Sequence, residues 1–180
     1  MKTYTIHPNQ RNFRPREWPW PRWKANGFRV GFIIEPGAWC SLEDYEGDLD
    51  RNDYQKIAGL THFFSLNNRR TALFAFNYGD ELETYNLVAY LNDEKGGWTT
   101  SNQMIFKSGK LVEGRCVLQN DYAHFTAQQG EARLNWQHGF RAPKLTRRVG
   151  TYPGGENNSP GPHGGKALKK MVIQLSFETI

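Results

Sequence analysis

Cysteine is scarce, with only Cys40 and Cys116 in 180 residues. Two are too few for a disulfide framework. They leave either one Cys40–Cys116 bridge or two free thiols, and Cys116 sits in a strand-like run where it reads as a small buried hydrophobe. No stretch of about 18 apolar residues occurs, so no helix is expected to span a membrane. The start of the chain (Met1 to Pro8) lacks the apolar segment of an ordinary signal peptide. Sustained 3.6-residue periodicity is also missing, so helix should be minimal. Gly-x-Ser-x-Gly, a phosphate-binding glycine loop and a dinucleotide fingerprint are all missing. His7, His124, His138 and His163 never approach the cysteines at zinc-site spacing. No cofactor is therefore expected.

Short strands and turns dominate instead. Aromatics make up 14% of the chain, alongside 18 glycines and 9 prolines, a mixture that suits strands joined by tight turns. From Phe28 onward the period is two. Phe28, Val30, Phe32 and Ile34 share one face, as do Ala72, Phe74, Phe76 and Tyr78, then Tyr85, Leu87, Ala89 and Leu91. Met171, Ile173, Leu175 and Phe177 alternate most cleanly, since successive strand side chains face opposite sides. Gly79-Asp80, Asn92-Asp93 and Gln129-Gly130 mark turns, and Ser108-Gly109 predicts a two-residue hairpin between Met104–Phe106 and Leu111-Val112. The expected fold is all-β: a two-sheet antiparallel sandwich of jelly-roll type, spanning residues 28–180.

Residues 1–27 read as an extended arm outside that domain. Arg14 to Trp23 holds three prolines, three arginines and three tryptophans, and proline disfavours both helix and central strand. Arg14, Arg16, Trp18, Trp20, Arg22 and Trp23 are the expected partner-binding residues, docking on another protein subunit. Charge comes in blocks: residues 1–29 are basic, residues 35–53 acidic, and residues 141–170 basic again, for a net +5. Such blocks attract a polyanion or pair with one another. Nucleic acid is not the expected partner, because the centre of the chain is acidic and no RNA-module signature occurs. Residues 150–165, with six glycines and three prolines, make too long a connection to be ordinary.

Three sets of side chains are candidate sites. Asp48, Asp50 and Asp53 carry carboxylates at the short spacing that holds calcium, without the full calcium-loop pattern. Trp39 and Trp98 sit at turns, where an indole face can hold a sugar ring or, equally, cap the core. His62, Arg69, Arg70, Tyr78 and Tyr85 could supply the proton transfer and charge neutralisation of a polysaccharide lyase if they converge.

The segments Lys56-Ile57-Ala58-Gly59-Leu60 and Leu87-Val88-Ala89-Tyr90, with the tail Met171-Val172-Ile173-Gln174-Leu175, resemble concanavalin-like and laminin-G-like jelly rolls, including small β-sandwich proteins of Bacteroidetes and their phages. The resemblance covers roughly residues 28–180 and carries no catalytic residues over. It implies a non-catalytic binding or assembly module, such as a phage virion or surface protein with lectin-like glycan recognition, located in a virion or the cytoplasm. A polysaccharide lyase or glycoside hydrolase of the same fold, and a capsid or tail component without ligand, are the alternatives.

Overall fold

The computed structural model describes residues 1–10, 12–16, 20–41, 43–45, 53–65, 69–152 and 167–180. Two antiparallel sheets face each other. One has six strands in the order β1 (Lys2–Ile6), β13 (Met171–Thr179), β3 (Gly27–Ile34), β9 (Val112–Gln119), β10 (Tyr122–Gln129) and β11 (Ala132–Gly139). The other has seven, running β2 (Pro21–Trp23), β12 (Leu145–Val149), β4 (Gln55–His62), β5 (Thr71–Tyr78) and β6 (Thr84–Asn92), with β7 (Trp98–Thr100) and β8 (Met104–Lys107) both on the far edge of β6. The helical content among the described residues is one 3-10 turn, Glu43–Tyr45.

The inward faces are the ones the alternation predicts. Phe28 and Phe125 from the six-stranded sheet meet Phe74 from the seven-stranded sheet, edge to face, with ring centroids 6.0 and 5.3 Å from Phe74. Such aromatic contacts add to the burial energy of each ring. Gly114 lies directly beneath this cluster. A Cβ there would fall 2.8 Å from the Phe74 ring and 3.0 Å from Val30, so the sheets approach closely because that position has no side chain. Cys40 and Cys116 are both buried and not joined by a disulfide, and burial pushes the Cys116 thiol pKa well up.

Two expectations fail. The arm is not separate from the sandwich: β1 pairs with β13 from Lys2↔Leu175 to Ile6↔Met171, and Tyr4, Ile6 and Phe13 are buried in the core. β2 pairs with β12, so both stretches join the sheets. Pro21 is tolerated in β2 because an edge strand needs a partner on one side only. The domain therefore begins near Lys2 rather than Phe28. Ser108-Gly109 is a turn, with Gly109 at φ +71°, yet it closes no hairpin. β8 pairs with β6 and β9 with β3, so the turn passes the chain from one sheet to the other. The Gly79-Asp80, Asn92-Asp93 and Gln129-Gly130 turns do join paired strands.

Candidate functional site

The residues proposed for lyase chemistry do not converge. His62 ends β4, half-buried with its ring near Phe64. Arg69 and Arg70 precede β5, where Arg70 pairs with Glu94; that contact holds Arg70 above and Glu94 below their ordinary pKa values. Tyr78 and Tyr85 face each other at the opposite end of β5, roughly 23 Å away along the strand. Tyr85 is fully buried against Phe76 and Phe106, with its hydroxyl unpartnered and its pKa raised by desolvation. A phenol sealed between the sheets cannot reach substrate. Replacing Tyr85→Phe should stabilise the fold by about 1 kcal/mol, because it removes an unsatisfied buried donor. Chemical denaturation checks this, and a destabilised variant would contradict it.

Trp39 and Trp98 part company. Trp39 is half-buried against the core, and its Nε1 donates to the Gly79 carbonyl at 3.0 Å, so it caps one end of the sandwich. Trp98 is exposed on the edge strand β7, one face stacked on Tyr90 at 5.8 Å. Lys56 lies 4.4 Å from the Tyr90 ring, its pKa lowered to about 8 chiefly by burial. Of the calcium candidates, Asp48 and Asp50 lie outside the described residues, while Asp53 is half-buried. No cluster of three metal-ligating side chains occurs among the described residues. Trp18 likewise lies outside them. Arg14 pairs through its backbone with Thr5, and Arg16, Trp20, Arg22 and Trp23 are exposed.

The open polar surface is elsewhere, on the outer face of the six-stranded sheet. Strand register aligns its side chains in rows that cross five strands. One row runs Glu178, Arg29, Arg115, Thr126, Asn135. The next runs Ser176, Gly31, Glu113, Gln128, Arg133. At ordinary strand spacing each row is roughly 19 Å long. The rows floor a groove of about 730 Å³ whose rim includes Met1 and Leu111.

Charge makes this groove unusual. Arg29 and Arg115 are direct cross-strand partners, a like-charge pairing that costs stability. Arg29 has only a 3.9 Å contact with Glu178, both well exposed, which stabilises little. The Arg115 side chain makes no hydrogen bond or ion pair with any described residue. Beside the pair, His124 Nε2 and Asn135 Oδ1 are 2.8 Å apart, and Gln128 donates to Glu113 at 3.2 Å. The two guanidiniums can bind an anion in a bidentate fashion, with Thr126, Asn135 and Gln128 offering hydrogen bonds and Glu113 and Glu178 bounding the site.

This architecture has known counterparts. The chain superposes on an alginate lyase from Klebsiella pneumoniae with TM-score 0.56 at 10% identity, covering 86% of this chain and 59% of that one. The fold is a concanavalin-like jelly roll. An alginate lyase from Alteromonas sp. 272 (TM-score 0.48, 12% identity, 99% and 73% covered) and domains LG4-5 of the mouse laminin α1 chain (TM-score 0.42, 8% identity, 99% and 42% covered) also match. No family model matches the chain, and no curated protein sequence is similar to it. At these identities the likeness concerns the jelly roll alone.

Sequence reasoning missed this groove. Arg29, Arg115, His124 and Asn135 were all visible as the polar half of alternating strands, but a solvated face has the same pattern. Only the register that sets Arg29 opposite Arg115 distinguishes them.

Proposed function

We propose that this jelly roll binds an acidic, uronate-bearing polysaccharide along the outer face of its six-stranded sheet. The facing pair Arg29 and Arg115, the latter without a side-chain partner among the described residues, is the observation that supports the reading. A carboxylate between the two guanidiniums would relieve their repulsion and supply the missing acceptor. The groove is lined by amide and hydroxyl groups, Asn135, Gln128, Thr126 and Ser176 among them, suited to sugar hydroxyls.

Calorimetric titration with alginate oligosaccharides tests this. Binding should weaken with salt, and Arg115→Ala should lower affinity about tenfold or more, in keeping with roughly 1.5–3 kcal/mol for a charge-assisted hydrogen bond. Equal affinity for a neutral glucan, or no effect of Arg115→Ala, would sink the reading.

The His124–Asn135 contact favours a second reading, β-elimination on the same face. Arg115 would neutralise the uronate carboxylate and Asn135 would hydrogen-bond it, while His124 takes the proton on the carbon next to it; a carbon–carbon double bond forms as the glycosidic C–O bond breaks, and the departing oxygen takes a proton from the imidazolium. In the same titrations, ultraviolet absorbance from an unsaturated product that disappears in His124→Ala would establish it; unchanged alginate leaves binding alone.

A further inference from the structure

The opposite, N-terminal edge of the same sheet carries a second concentration of cations and aromatics. β1 begins at Lys2, opposite Leu175, so β13 from residue 176 to residue 179 has no strand on that side among the described residues. The notch left there is closed by β2 and β12 of the other sheet and holds about 810 Å³. Five cations surround it: Lys2, Arg16, Arg22, Lys24 and Arg148. Among the described residues of the lining, Glu178 is the one acidic side chain. The Arg148 guanidinium is held in place 4.7 Å over the Phe177 ring and 5.8 Å from the Tyr4 ring.

Two indoles complete the cleft. Trp20 and Trp23 are 65% and 66% exposed, although each could bury a large apolar area. Flat apolar faces set among cations suit a chain whose rings have apolar sides and whose substituents are anionic. Single-stranded nucleic acid has that character too. Acidic polysaccharide is favoured because Phe177 and Glu178 line both this cleft and the groove over Arg29 and Arg115. The two surfaces therefore adjoin at β13.

We propose that the Trp20–Trp23 cleft is a second subsite for acidic polysaccharide, continuous with the open sheet face, so that one long chain engages both. The proposal rests on the reading of the open face given above. Joining two subsites on one ligand raises affinity without new contacts at either, by effective concentration.

The test compares an alginate tetrasaccharide with polymeric alginate on the full chain. Wild type should bind the polymer at least about tenfold more tightly per site than the tetrasaccharide. Trp20→Ala/Trp23→Ala should abolish that gain and leave tetrasaccharide affinity within about twofold, whereas Arg29→Ala/Arg115→Ala should weaken both ligands. Arg16→Glu/Lys24→Glu, which alters exposed side chains only, should reproduce the tryptophan variant, and thermal melting confirms that each variant is folded. Polymer affinity unchanged in folded Trp20→Ala/Trp23→Ala would overturn the proposal. So would oligothymidylate that binds through the same indoles more tightly than alginate, or a change in solution mass showing that the cleft joins two copies of the chain. If wild type fails to bind the tetrasaccharide, the open-face reading fails alone; polymer binding lost in the tryptophan variant would still establish the cleft.

Discussion

Removal of residues 1–26 is expected to unfold the protein rather than trim an arm from it. Tyr4, Ile6 and Phe13 are 3%, 1% and 3% exposed, packed into the same core as β13 and β3. Burying a side chain of this kind stabilises by roughly 1.5–3 kcal/mol, so three together approach the 5–15 kcal/mol that holds a typical domain. The deletion also strips the five-residue ladder from β13 and the β2 ladder from β12, leaving bare edges where paired strands had been. Far-UV circular dichroism and thermal melting decide the matter. A truncated chain that melts cooperatively within a few degrees of the intact one would show that the N-terminal strands only decorate the sandwich. Point substitution gives a milder version: Phe13→Ala should cost about 3–5 kcal/mol on its own.

The second large effect lies where the sheets meet. Phe74→Ala should destabilise by about 3–5 kcal/mol, because the ring is fully buried and touches Phe28 and Phe125 edge to face. Gly114→Ala alone should also destabilise, by about 1–3 kcal/mol, since its methyl would meet the Phe74 ring at 2.8 Å. The two costs should not add. With the ring gone, the methyl enters the space it vacated, so the double variant should be more stable than the sum of single effects implies by about 0.5 kcal/mol or more. Denaturant titration of all four proteins measures the coupling. Strict additivity would mean that Val30, 3.0 Å from the same position, sets the cost instead. Gly114 sits between Glu113 and Arg115, so the close packing at its inward side also fixes how the polar side chains of β9 are presented outward.

These outcomes separate local from non-local information. Alternation in Phe28–Ile34, Ala72–Tyr78 and Met171–Phe177 determined which side chains face inward, because strand geometry alone puts every second residue on one face. Composition and turn residues determined the fold class for the same local reason. Pairing partners were beyond reach. Ser108-Gly109 is a sound turn signal whose flanking strands enter different sheets, a choice made by β6 and β3, far away in sequence. The start of the chain reads as an arm because the vacant edges of β13 and β12 that receive β1 and β2 exist only once the sandwich has formed.

The candidate site follows the same division. The sequence by itself determined that Arg29 lies on the side of its strand away from Phe28 and Val30, and that tryptophan and arginine gather before residue 24. Tertiary structure decided that Arg29 stands opposite Arg115 and that Tyr85 is sealed in the core far from Arg70. A repulsive pair or a shared groove is a property of register between strands tens of residues apart, and no local pattern in the chain encodes it.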